Sequence, residues 1–225
     1  MAKNESPKDI KKEIKESNET PKIPGLSAKA FGVIKFTLGI MLLPFVYSTT
    51  VSFFKEFAVV DAAQQENFWA GVITFLVVYL FVWKPAFIYN KGQQVLEVLF
   101  SFFKPLVKVA PYLVPIFAIL LFLAYKITVF VAGPSRWLTY FVFFFGFSVA
   151  MHLVFSAESL RSKQGDFLKA NYIFGFSFVY LVTVLVAAFC INFTFKQFSM
   201  VNLLNESFLK AKDIFYVVFK QMFVP

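Results

Sequence analysis

Three polar residues in an apolar neighbourhood have a spacing that could do chemistry: Gln93, Gln94 and Glu97, at i, i+1 and i+4. On a helix, positions four apart share a face. H-E-x-x-H uses that spacing to present two zinc ligands with a general base between them. The residue types here oppose such chemistry. A neutral amide is a poor zinc ligand beside imidazole, and it cannot take a proton from metal-bound water near pH 7. Glu97 could hold a cation, and His152 and Asp166 are the other weak candidates for a metal. One carboxylate on this helix plus a distant Asp166 falls short of the three protein ligands usual for catalytic zinc. The expectation is no catalytic residue, no zinc and no other cofactor.

His152 is the single histidine. On a helix it shares a side with Ser148 and Ser156, each four residues away. It could relay a proton or bind a metal. The alternative, adopted here, is a buried histidine bonded to a serine or a backbone carbonyl. Asp166 lies in the polar run Ser162-Lys-Gln-Gly-Asp-Phe, which reads as a solvated turn or the N-cap of the next helix. Cys190 is the only cysteine, so it forms no intrachain disulfide, and its apolar surroundings mark it as a small packing residue.

The residues around the polar trio carry a resemblance. Lys84-Pro-Ala-Phe-Ile-Tyr89 followed by Gly92-Gln-Gln-Val-Leu-Glu97 resembles a bacterial multi-pass membrane family related to the site-2 proteases, the intramembrane zinc metalloproteases. There a K-P-x-F-I-Y run leads into G-H-E-L-T-H. Ala110-Pro-Tyr-Leu-Val-Pro-Ile116 is similar to the segment opening that family's next helix. The stretch 145–154, with His152, is similar to the helix that follows, and 159–176, with Asp166, to a segment bearing a later acidic residue. The likeness covers about residues 68–190. It implies the family's helical fold and, because Gln93, Gln94 and Glu97 stand where His, Glu and His are required, an inactive relative. In the family a longer, β-rich piece receives substrate, and the short link at 104–109 leaves little room for one. Two readings from other classes are a divergent active metallopeptidase using Glu97, His152 and Asp166, and a small transporter or channel subunit. A transporter calls for several ionisable residues along one path and often an internal repeat; no repeat is visible.

The elements that must position these residues follow from composition. Of 225 residues, 59% are hydrophobic and 16% charged, with 34 Phe, 9 Tyr and 3 Trp; mean hydropathy is +0.69. Soluble domains are about 25% charged. A soluble chain this long could not hide that much apolar surface. The composition points to an integral membrane protein, with the lipid bilayer as its first partner, another membrane protein as a possible second, and nucleic acid excluded. The net charge of +9 comes from basic residues flanking apolar runs, a pattern of membrane orientation.

Residues 1–27 form a polar segment expected to be a flexible cytoplasmic tail. Residues 28–196 form a bundle with five uncharged runs, 36–54, 67–83, 109–125, 137–157 and 170–195, each long enough to cross a hydrocarbon core of about 30 Å. Lipid leaves open strands unpaired, so the runs are helices. Pro44, Pro111 and Pro115 should kink or break them, freeing carbonyls that neighbours must satisfy. Residues 85–104 form an amphipathic helix, interfacial or re-entrant. Residues 197–225 form a second, expected at the membrane surface. Trp69, Trp83 and Trp137 read as interfacial aromatics. The expected fold is thus an all-α integral membrane protein of about five transmembrane helices plus one amphipathic or re-entrant helix. With five spans and a cytoplasmic N-terminus, 15 of 22 Lys and Arg fall inside, which favours that orientation in the cell membrane.

Overall fold

A computed structural model describes residues 28–82, 86–99, 112–133, 137–162 and 172–223. The expected tail at 1–27 and Asp166 lie outside them. The described residues are helical, with no strand among them. In chain order they form α1 (Ala28–Phe57), α2 (Ala62–Val77, continued by a π-helical turn Val78–Val82) and α3 (Ala86–Leu99). These are followed by α4 (Ile116–Ala132), α5 (Leu138–Ser162), α6 (Tyr172–Thr194) and α7 (Met200–Phe223).

Among the described residues three helices are long and apolar enough to cross a membrane: Gly32–Phe57, Leu138–Arg161 and Tyr172–Thr194. The pair Ala62–Phe81 and Ala86–Leu99 would be a fourth if a span bent by 115° counts as one. Of the run expected at 109–125, residues 109–111 lie outside the described residues. Its helix begins after Pro115 and continues to Ala132, 17 residues in all, about 25 Å at 1.5 Å per residue and short for a perpendicular crossing. Lys126, expected to bound that run, lies inside the helix. Its ammonium donates to the carbonyl of Phe193 at the C-terminal end of α6, where a cation offsets the negative end of the helix dipole, and it sits 5.4 Å from the Phe122 ring. The helix ends at Gly133, whose φ of 81° suits glycine and stops the run.

The helices alternate in direction. The turn at 58–61, Gly133 and the link 195–199 share one end. The other end holds the C-termini of α2 and α5, the N-termini of α4 and α6, and α3. α5 is the hub, packed on α2, α4, α6 and α3. Its tightest partner is α2, and two glycines set the distance. A methyl group on Gly71 would lie 1.9 Å from the carbonyl oxygen of Phe143; one on Gly146 would lie 2.2 Å from that of Phe68. The bare Cα atoms therefore let the two backbones touch, which in lipid replaces the hydrophobic effect as the source of helix attraction. Phenylalanines fill the space around the crossing: Phe68 packs on Phe57 at 5.1 Å and on Phe145 at 6.3 Å, while Phe141 stacks on Tyr125 at 4.4 Å. Cys190 is buried in the same cluster.

α7 begins with its amides satisfied. Met200 N–H donates to Asn192 Oδ1, Asn202 N–H to Ser199 Oγ, and Ser199 N–H to the Glu56 carboxylate. It then runs antiparallel along α1, from the ion pair of Glu206 with Lys55, past the Lys210–Ser52 hydrogen bond, to the Phe215 ring 5.8 Å from Phe45. The segment expected at the membrane surface is thus seated lengthwise on a candidate span.

Gly71→Ala and Gly146→Ala should each cost about 1–3 kcal/mol, the usual penalty of overpacking, read as a lower Tm in detergent. Gly32→Ala, with nothing within 4 Å of the added methyl group, should leave Tm unchanged or raise it.

Candidate functional site

The break before α4 creates a polar demand. Pro115 has no N–H, and Ile116 N–H turns back to the carbonyl of Val114 at 2.8 Å instead of continuing a helix through Tyr112. The Tyr112 carbonyl is left without its helical donor. Two side chains of α5 supply donors: Ser156 Oγ donates to it at 3.2 Å, and the His152 ring also hydrogen-bonds it. Ser156 Oγ lies 3.4 Å from His152 Nε2 and 3.0 Å from the Tyr89 hydroxyl of α3. Tyr89 in turn is hydrogen-bonded by the side chain of Gln93, one turn on.

A hydrogen count orients the chain. Ser156 has a single proton, directed to the Tyr112 carbonyl, so the Tyr89 hydroxyl donates to Ser156 and Gln93 donates to Tyr89. The line runs Gln93, Tyr89, Ser156, Tyr112 carbonyl. His152 and Tyr89 are each 4% exposed and Ser156 is fully buried. Polar groups this deep are stable only when paired. Ser148, the other serine on the histidine's side, donates to the Phe145 carbonyl of its own helix and stands outside this line.

The trio on α3 is arranged differently from a metal site. Tyr89, Gly92 and Leu96 form the buried seam, and Gly92 lies flat against Phe117 and Ile116 of α4. At about 100° per residue, Ile88, Val95 and Leu99 lie to one side of that seam and Asn90, Gln94 and Glu97 to the other. All six are exposed, and Gln93 is half-buried at the edge. A helix with a protein seam, an apolar flank and a polar flank suits a membrane–water boundary. The i and i+4 positions do not turn inward together: Gln93 is half-buried and Glu97 exposed, and His152 is engaged with Ser156 and Tyr112. Among the described residues no three of His, Cys, Asp and Glu gather where they could share a metal ion. Glu97 and His152 do not meet.

Tyr89 and the Tyr112 carbonyl were not singled out as site members by their sequence. The signals for them were present: Tyr89 stands four residues before Gln93, and Pro115 frees a carbonyl close before it.

A second feature is an apolar groove of about 250 Å³. α1 and α2 are joined by a short turn and meet through ring contacts near it, Phe57 with Phe68 and Phe54 with Trp69, while their backbones stand apart, and α5 and α6 form the floor between them. Phe54, Trp69 and Leu76 on its rim are exposed at the bundle's side. Trp69 therefore lines a groove, against Phe54 at 5.7 Å, part-way along α2. The one polar pair is Thr50 Oγ1 with Tyr180 OH, at 2.7 Å. Thr50 gives its proton to the Val46 carbonyl at 2.6 Å, so Tyr180 donates to Thr50 and keeps lone pairs for an incoming donor.

No family profile, no curated protein and no solved structure matches this chain.

Removing the Ser156 hydroxyl (Ser156→Ala) strands the Tyr89 hydroxyl and leaves the Tyr112 carbonyl to His152 alone, at about 1–3 kcal/mol. Tyr89→Phe should cost less. The two together should be non-additive in a double-mutant cycle read by thermal unfolding. Glu97→Lys, on an exposed flank, should stay within about 0.5 kcal/mol of the parent.

Proposed function

We propose that this chain is a multi-pass membrane protein that binds rather than cuts, a non-catalytic relative of the site-2-type proteases that holds an apolar membrane segment from another protein. The apolar helices are compatible with a multi-pass membrane protein. The lateral groove between α1 and α2 is the observation that carries the binding half. Its aromatic and aliphatic walls fit the side chains of a lipid-embedded helix, and the Tyr180 oxygen offers one acceptor for orientation. The closed Gln93–Tyr89–Ser156 line supports the non-catalytic half, since its groups bond one another rather than converge on a substrate.

The same reading sets the orientation. The end that carries α3 also carries Lys91 and Arg161, and on the positive-inside rule it faces the cytoplasm together with the N-terminus. Cysteine labelling should reach position 6 (Ser6→Cys) from the cytoplasmic side and position 62 (Ala62→Cys) from the opposite side.

The groove is tested with Trp69 as sole tryptophan (Trp83→Phe, Trp137→Phe), reconstituted in lipids with brominated acyl chains. Trp69 fluorescence should be quenched by acyl chains entering the groove. A Leu-rich single-span peptide of about 20 residues should relieve the quenching, and Leu153→Trp, read through an environment-sensitive label at position 76, should abolish the relief. Quenching that the peptide leaves unchanged would mean that the groove takes lipid alone. Metal analysis of the purified protein is expected to give no stoichiometric zinc, with or without Glu97→Gln.

A further inference from the structure

α7 has a face that nothing among the described residues of one copy covers. Leu203, Ser207 and Ala211 are buried against α1. About half a turn round, Asn202, Asn205, Leu209, Lys212, Tyr216 and Phe219 recur at alternating steps of three and four, and every one is exposed. That is the a/d line of a two-stranded coiled coil. Its position makes exposure costly. α7 lies along α1, one of the helices able to cross the membrane, and Lys212 and Asp213 lie about 10 Å further along than Glu206. A lysine stem can carry its charge to the interface; the short Asp213 side chain cannot. Glu206 and Lys210 are already paired with each other and with α1. Among the described residues no ion pair or hydrogen bond reaches Lys212 or Asp213. A carboxylate in that position needs a cation beside it.

We propose that this face is a self-association surface, on which two copies of the chain, inserted the same way round, pair their α7 helices in parallel. Copies sharing one membrane orientation can align α7 only in parallel, which brings each residue beside its own counterpart. In parallel coiled-coil packing a d-position side chain sits against the d and e residues of its partner helix. Lys212 at d then meets Asp213 at e of the second copy, and the exchange is reciprocal. Asn205 at d meets its own counterpart, where amides pair across helices in lipid and fix register. Lys212 on the line and Asp213 beside it complement the same two residues of a second copy, whereas a foreign helix would have to match them by coincidence. The surface lies away from the α1–α2 groove, so the pairing stands independently of the proposed function.

The test is disulfide scanning in native membranes on a Cys190→Ala background, with single cysteines replacing Asn202, Asn205, Leu209, Lys212 and Tyr216 on the line and Leu204 and Phe208 beside it. The structure calls for homodimer bands at the line positions and none at Leu204 or Phe208. Asp213→Lys should lower the dimer fraction in nanodiscs at least tenfold. The exchange Lys212→Asp with Asp213→Lys should restore it, a rescue that misfolding could not mimic. A monomer in nanodiscs, bands without the three–four period, insensitivity to Asp213→Lys, or cross-links at these positions to a different protein would each overturn the proposal.

Discussion

Two missing side chains hold the bundle together. At Gly71 and Gly146 a Cβ would penetrate the facing backbone, so α2 and α5 approach as closely as helices can, and α3, α4 and α6 pack on α5 around that pair. In lipid, apolar surface is equally content facing acyl chains or protein, so attraction between helices must come from contact density and matched polar groups. The glycine crossing supplies the first. The phenylalanines around it are a consequence: large flat rings fill the wedges left where two backbones touch.

Polar matching supplies the rest, at the end where α3 lies. Pro115 breaks the chain before α4 and leaves the Tyr112 carbonyl without a helical donor, and Ser156 and His152 of α5 meet it. Tyr89 then ties α3 to Ser156. The histidine that could have been a ligand is thus part of a joint. Ser156 holds three elements at once, and the direction of its proton fixes the direction of the whole line. A buried network with every member satisfied resists insertion of a metal or a water, because either would have to break bonds already made.

The apolar helices were legible in the sequence because uncharged runs leave few alternatives in lipid. The amphipathic character of Ala86–Leu99, within the helix expected at 85–104, was legible too, as was the side shared by His152 and Ser156. What the spacing of Gln93, Gln94 and Glu97 could not convey was which side of the helix faces inward. That is decided by Gly92 lying against Phe117 and by Tyr89 reaching Ser156, contacts made with residues far along the chain. Lys126 misled for a related reason. A charge normally ends a span, but this one reaches the C-terminal end of α6 and is accommodated within its own helix. The seat of α7 on α1 was hidden because the small residues Ser207 and Ala211 that form it carry little hydropathy signal.

The setting of α3 is decisive, since an inward Glu97 would make a remnant metal site and an outward one makes a boundary helix beside a binding groove. Spin labels at positions 92–99, probed with a water-soluble nickel complex and with oxygen dissolved in the bilayer, measure this directly. Nickel should reach 94 and 97, oxygen should reach 95 and 99, and 92 and 96 should be protected from both. Protection of 97 from both reagents, with 96 open to either, would contradict this setting of α3.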